Sequence, residues 1–142
     1  MKNVIVTTAY VIVISIAVLL TVNTANAATV AEFQIPFQFF VGEKALPAGV
    51  YTVSVDNATN RFDMVSPEAV ARVFLAGSTP RRNAVTDTGT LVFYRYGKTY
   101  VLRSIWKPGS SSGHNLPGAT IEREMTNTAA LPEIVSIGAT SK

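Results

Sequence analysis

The chain has 142 residues, a formal net charge of +3, no cysteine and a single histidine. Without cysteine the chain has no disulfides, thiolate metal sites or thiol nucleophile, and one histidine cannot complete a transition-metal site alone. The small positive charge is dispersed, whereas nucleic-acid-binding proteins usually carry a clustered basic face, so we expect no nucleic-acid partner.

The first 27 residues have the layout of a secretory signal peptide. Lys2 supplies the positive start, an apolar run extends from Val4 to Leu20, and Ala27 ends a triplet with small residues at the expected cleavage site. We therefore predict cleavage after Ala27 and export to the periplasm or the extracellular space. The alternative is an uncleaved anchor, since the apolar run is at the short end of what spans a bilayer. Membrane contact is expected only in that case.

The first strong β pattern covers residues 33–41, where apolar and polar side chains alternate. A period of two predicts a half-buried strand, with these residues on its inner face: Phe33, Ile35, Phe37, Phe39 and Val41. Pro36 cannot donate a ladder hydrogen bond and favours an edge position. Turn residues follow at 42–44 and 46–49, where proline and glycine suit the turn geometry.

Three further strands are predicted between residues 50 and 76, and a short one follows them. Residues 50–55 alternate with Tyr51, Val53 and Val55 inward, and residues 61–65 place Phe62 and Met64 on one face. Residues 69–76 form an apolar strand, and a short strand is expected near Ala84-Val85. These elements are separated by polar turn sequences, a spacing typical of all-β domains.

Residues 90–106 form the clearest hairpin, with Gly97-Lys98 as a two-residue loop. This loop predicts that Tyr96 faces Thr99, Arg95 faces Tyr100, Tyr94 faces Val101 and Phe93 faces Leu102. Strict alternation puts Phe93, Leu102 and Trp106 on one face, and Tyr94, Tyr96 and Val101 on the other. Two interpretations follow: the aromatic residues fill a core covered on both sides, or part of them forms an exposed platform for a ligand. The candidate ligand-binding residues are Tyr94, Arg95, Tyr96 and Trp106.

A Gly/Ser/Pro-rich loop spans residues 107–118 and contains the only histidine, His114. Ser110 to Ser112 lie close to His114 in sequence, which raises the alternative of a hydrolase. Catalytic groups need a preorganised frame, however, and this loop has the composition of a flexible one. The interpretation is therefore that the chain is not an enzyme and has no catalytic residue.

The C-terminal part changes period. Ile121 and Met125 lie four residues apart, which predicts a short amphipathic helix over 119–127 that packs both side chains on the sheet. After this helix, residues 134–137 form either a last strand or a frayed end.

Together these patterns predict an all-β fold, a small antiparallel sandwich or open barrel with one short C-terminal helix. The expected organisation is a signal peptide over 1–27, a single β-rich domain over 28–130 and a C-terminal tail over 131–142.

Three blocks, "IPFQFFVGEKALPAGVYTV", "LVFYRYGKTYVLRSIW" and "SSSGHNLPGATIEREM", occur in this order. They resemble a family of small exported bacterial proteins of unknown function. The resemblance covers about residues 31–126, and it implies export and a small β-rich fold. It brings no catalytic residue, cofactor or partner. The chain departs from the pattern of this family at Gly118-Ala119, directly after the Leu-Pro pair, where helix-forming or capping residues are expected.

We interpret the chain as a non-enzymatic exported domain with a structural or interaction-mediating role in the cell envelope. Its partner is expected to be an envelope or extracellular protein or glycan, and neither a cofactor nor a metal is expected. The alternative is a carbohydrate- or peptide-binding module that uses the aromatic hairpin of residues 90–106.

Overall fold

The computed structural model describes residues 29–78, 81–82, 85–128 and 131–140. The predicted signal peptide, its cleavage site at Ala27 and residue 84 of the predicted short strand lie outside the described residues. Within the described ranges, the structure contains no helix with the length and apolar character needed to cross a bilayer.

The described residues form two sheets. Sheet A is antiparallel, with the order β1-β4-β5-β6, and its strands are β1 (Thr29–Ile35), β4 (Gly49–Asp56), β5 (Arg61–Val65) and β6 (Val70–Phe74). Sheet B follows the order β11-β8-β9-β10-β7, with strands β7 (Gly77–Ser78), β8 (Thr90–Tyr96), β9 (Thr99–Trp106), β10 (Gly113–Asn115) and β11 (Glu133–Gly138). A small hairpin of β2 (Phe39–Val41) and β3 (Lys44–Leu46) joins sheet B through a parallel contact with β9. The prediction of an all-β sandwich with one short helix, α1 (Thr120–Thr126), is confirmed.

The core lies between the two sheets because each sheet turns one apolar face inward. Tyr51, Val53 and Val55 of β4 are buried as their alternation predicts. Phe39 links the sheets, since its ring packs edge-on against Tyr51 of sheet A and Phe93 of sheet B, with 5.4 Å between centroids in each pair. Each fully buried side chain of this size stabilises the fold by roughly 1.5–3 kcal/mol.

The apolar run of residues 33–41 is two strands rather than the single predicted strand. β1 ends at Ile35, and β2 begins at Phe39 in the other sheet. Pro36 ends the ladder of β1 because it has no N–H to donate. Between the strands Phe37 stays half-buried and stacks on Tyr100 at 3.8 Å. The prediction that the alternate residues of this run face the core is therefore correct, although the chain passes from sheet A to sheet B between Ile35 and Phe39.

The predicted register of the hairpin β8–β9 is confirmed, from Tyr96 opposite Thr99 to Phe93 opposite Leu102. Gly97 has a φ of 61°, which a glycine adopts without steric cost. Beyond Phe93 the register shifts by one residue. This bulge corrects one prediction: Trp106 does not share the core face with Phe93.

The C-terminal strand β11 pairs with β8 along its whole length, from Glu133 opposite Arg95 to Gly138 opposite Thr90. Residues 133–138 of the predicted tail are thus a strand at the edge of sheet B, and the frayed-end alternative is wrong. Residue 140 continues to β1, where its N–H donates to the carbonyl of Glu32 at 2.8 Å.

Candidate binding groove on the outer face of the aromatic hairpin

The outer face of sheet B is the face turned away from the core, and the bulge decides which side chains lie on it. Leu102 and Ile105 both belong to the core cluster. The two residues between them, Arg103 and Ser104, therefore break the alternation of β9. Trp106 follows Ile105 and points outward, where it lines the same groove as Tyr94 of β8.

Helix α1 covers one half of this outer face. Ile121 and Met125 pack against a cluster that contains Tyr96 and Val101, which confirms the predicted contact of the helix with the sheet. The helix has no side-chain cap of its own. Instead, the carboxylate of Glu43 in the β2–β3 turn accepts the N–H of the first helical residue at 2.7 Å.

Glu122 fixes the helix to the hairpin through both of its carboxylate oxygens. The hydroxyl of Tyr96 donates to Oε1 at 3.0 Å, and Arg103 Nη1 donates to Oε2 at 3.2 Å. Burial and the hydrogen bond to Glu122 raise the pKa of Tyr96 above its ordinary value, so the phenol stays protonated as the donor. A Cβ on Gly118 would lie 3.0 Å from Arg103 Nη1 and 3.1 Å from Glu122 Oε2. The unexpected glycine before the helix therefore leaves room for this ion pair.

The other half of the outer face is an open groove with a volume of about 400 Å³. Its wall and floor include residues from four strands and from the loop before β8: Ile134, Val92, Tyr94, Ser104, Trp106, Asn115 and Arg82. Arg103 lies at the boundary, since it lines both this groove and the cleft under α1. The groove therefore combines an aromatic floor with two guanidinium groups.

Each guanidinium lies over an aromatic ring. The Arg82 Cζ atom is 3.8 Å from the centroid of the Trp106 ring, and the Arg103 Cζ atom is 5.6 Å from that of Tyr94. Such contacts contribute about 0.5–1 kcal/mol at exposed sites and more when desolvated. Arg103 shares its charge with Glu122, whereas Arg82 forms no ion pair with any acid in the described part of the chain. The groove thus presents positive charge.

The four candidate residues from the sequence do not form one platform. Tyr94, Tyr96 and Trp106 share the outer face, but Tyr96 is covered by α1 and Trp106 is only 7% exposed beneath Arg82. Arg95 points to the opposite face, where it pairs with Glu133 at 3.1 Å. Tyr94 is the candidate residue that remains half-open to the groove.

Two contributors to the groove were missed by the sequence analysis. Arg82 lies in the polar connection before β8, whose sequence gives no local signal that this side chain will reach Trp106. Arg103 could have been found, because it lies near Tyr94 on the neighbouring strand of a correctly predicted hairpin.

His114 lies on β10, opposite Ile105 of β9 and Ser78 of β7. Burial, with a smaller contribution from Lys107, lowers the pKa of this imidazole below its ordinary value. In the adjacent loop the hydroxyl of Ser110 donates to the carbonyl of Ser112 at 2.7 Å. Among the residues that the structure describes, no group of three histidine or acidic side chains is arranged to hold a metal ion.

Compared with known proteins, the chain matches no family model, no curated protein and no solved structure.

Proposed function

We propose that the chain is a non-enzymatic exported domain that mediates interactions in the cell envelope or outside the cell. Its contact surface is the groove on the outer face of sheet B, and its partner is an envelope or extracellular protein or glycan. Export is supported by the N-terminal sequence pattern alone. The sandwich supplies a rigid frame, on which binding residues from four strands are held in fixed relative positions.

One observation carries this proposal: two arginine–aromatic stacks lie side by side in an open groove. Arginine, tyrosine and tryptophan are the residue types enriched at binding hot spots. Stacking also holds the guanidinium groups in place before a ligand arrives, which lowers the entropic cost of binding. A purely structural role would not need a positive, partly open aromatic groove.

Within the alternative of a carbohydrate- or peptide-binding module, the geometry favours a peptide. A sugar ring needs an open aromatic face, yet Arg82 covers the indole of Trp106 and Arg103 lies over Tyr94. A peptide can instead use the guanidinium groups themselves as hydrogen-bond donors.

Affinity capture from envelope fractions tests the proposal, with the exported chain as bait. We expect enrichment of a specific partner by the wild type, and its loss with a groove variant that combines Arg82→Gln and Tyr94→Ala. Arg72→Gln is the control, because Arg72 lies on the outer face of sheet A with 69% of its side chain exposed, and its 3.5 Å ion pair with Asp63 is a surface pair that contributes little to stability. Enrichment of nothing above background contradicts the proposed function, and equal capture by all three baits contradicts the choice of the groove.

A further inference from the structure

We infer that the groove takes an extended peptide segment of about four residues, with a carboxylate at one end and an aliphatic side chain at the other. This inference rests on the proposed function and adds the chemical class of the ligand. It follows from the length of the groove, from the order of residue types along it and from the charge that Arg82 leaves unbalanced.

The length follows from the strands that the groove crosses. Its lining residues come from β11, β8, β9 and β10, which are consecutive neighbours in sheet B. Ile134 on β11 and Trp106 on β9 are two strand gaps apart, about 10 Å. Ile134 lies opposite Tyr94 whereas Trp106 lies opposite Thr90, which adds four residues or about 13 Å along the strands, so the diagonal is about 16 Å. An extended chain covers about 3.3–3.6 Å per residue, so about four residues span most of this distance and the side chains at the two ends reach the rest.

The residue types change in a definite order across these strands. The β11 end carries an exposed aliphatic side chain, because Ile134 is 66% exposed and lies opposite Tyr94, with Val92 two residues away on the same face of β8. Ser136 and Arg103 also line this end, but the charge of Arg103 is paired with Glu122. The middle carries the hydroxyl of Ser104. At the far end of β9 lies Trp106 with the Arg82 guanidinium over its ring. A ligand that matches this order is aliphatic at one end and anionic at the other.

A carboxylate is the anion that fits the cationic end. The planar guanidinium group donates two parallel hydrogen bonds to a carboxylate, and the contact of Arg82 with the Trp106 ring, 3.8 Å from Cζ to the centroid, holds this group at the end of the groove. Glu122, the acid that pairs with Arg103 at the boundary of the groove, is already held by Tyr96 and Arg103. The carboxylate of the ligand can belong to an acidic side chain or to a peptide C-terminus, since both present the same group.

The chain contains one tryptophan, so its fluorescence reports on the groove directly. We propose titration of the full exported chain with four synthetic peptides. The first two are Glu-Ser-Ser-Leu and its reverse, each with blocked ends. The third is the neutral counterpart, in which Gln replaces Glu and both ends are again blocked. The fourth is a Leu-Ser-Ser-Gln peptide with a free C-terminal carboxylate.

We expect one of the blocked glutamate peptides, or the peptide with the free terminus, to change Trp106 fluorescence in a saturable way. The neutral Gln peptide should bind at least about tenfold more weakly, because it cannot form a charge-assisted pair with Arg82. Arg82→Gln should weaken binding of the acidic peptide by a similar factor. Arg72→Gln should leave it unchanged, and near-ultraviolet circular dichroism verifies that both variants keep the wild-type fold.

Binding of the glutamate peptide alone identifies an acidic side chain as the ligand group, and binding of the free-terminus peptide alone identifies a terminal carboxylate. Equal affinity for the neutral peptide, or binding that is insensitive to Arg82→Gln, overturns the inference. If no peptide binds while capture of a partner still depends on the groove, the peptide inference is wrong and the proposed function stands. If capture fails as well, both are wrong.

Discussion

Replacement of Glu122 should release helix α1 from the sheet without unfolding the sandwich. The carboxylate of Glu122 is the one group that connects the helix to both strands of the hairpin through described hydrogen bonds, by accepting from Tyr96 and from Arg103. Glu122→Gln removes the charge and keeps the volume of the side chain. It therefore isolates the electrostatic part of the docking.

The magnitude follows from two contacts. A hydrogen bond to a charged group contributes about 1.5–3 kcal/mol, and Tyr96 is almost fully buried. The ion pair with Arg103 contributes less, since the Arg103 side chain is 30% exposed and solvent screens the pair. The amide of glutamine can still accept one of the two bonds, so we expect Glu122→Gln to cost about 1–2 kcal/mol.

A double-mutant cycle with Tyr96→Phe measures this contact, with urea unfolding for the free energy of unfolding and amide hydrogen exchange for local opening of α1. Each single variant should destabilise the helix, and the double variant should cost about 0.5–1 kcal/mol less than the sum. Glu124→Gln is the matched control, because Glu124 is exposed on the same helix. Strict additivity of the two variants, or an equal effect of the control, would refute the assignment of Glu122 as the anchor.

Three further predictions concern the frame and its pH dependence. Phe39→Asp should unfold the domain. Loss of the ring costs about 3–5 kcal/mol and the buried charge costs more, whereas the total stability of a domain is typically about 5–15 kcal/mol. A cooperative thermal transition in this variant would contradict the assignment of Phe39 to the core face. Gly118→Ala should weaken the ion pair beside it and destabilise the chain by about 1 kcal/mol in urea unfolding, with Gly138→Ala as a control because a Cβ there meets no neighbour. Burial lowers the pKa of His114 below its ordinary 6.5, so the unfolded chain takes up a proton at a higher pH than the folded chain does. The free energy of unfolding should therefore fall as the pH drops below about 6.5. His114→Gln should flatten this pH dependence, and an unchanged slope in the variant would refute the role of His114.

The sequence was sufficient where structure depends on neighbours along the chain. The register of β8 and β9 follows from a two-residue loop, because Gly97-Lys98 fixes which residues face one another. The inward faces of β4 and β5 follow from period two, and the contact of Ile121 and Met125 with the sheet follows from their helical spacing. Each of these predictions needs only a few consecutive residues.

Contacts between distant segments could not be predicted in this way. Glu43 caps a helix that begins 77 residues later, and Arg82 reaches Trp106 from a loop whose sequence only indicates a turn. The alternation of apolar and polar residues over 33–41 also does not show that the chain changes sheets at Pro36. Both β1 and β2 bury their odd-numbered residues in the same core, so the pattern continues across the break. Sandwich folds place such residues together through topology, which local patterns do not encode.

The groove itself originates in the bulge of β9, which alternation along the sequence cannot reveal. With strict alternation after Leu102, the side chain of Trp106 would enter the core beside Phe93, and Arg82 would have no ring to stack on. One extra residue opposite β8 reverses the orientation of every later side chain, so Ile105 enters the core and Trp106 turns outward. Bulges are found often beside functional sites because they redirect side chains in this manner. The single irregularity in the best-predicted hairpin is therefore also the feature that creates the cationic end of the proposed binding site.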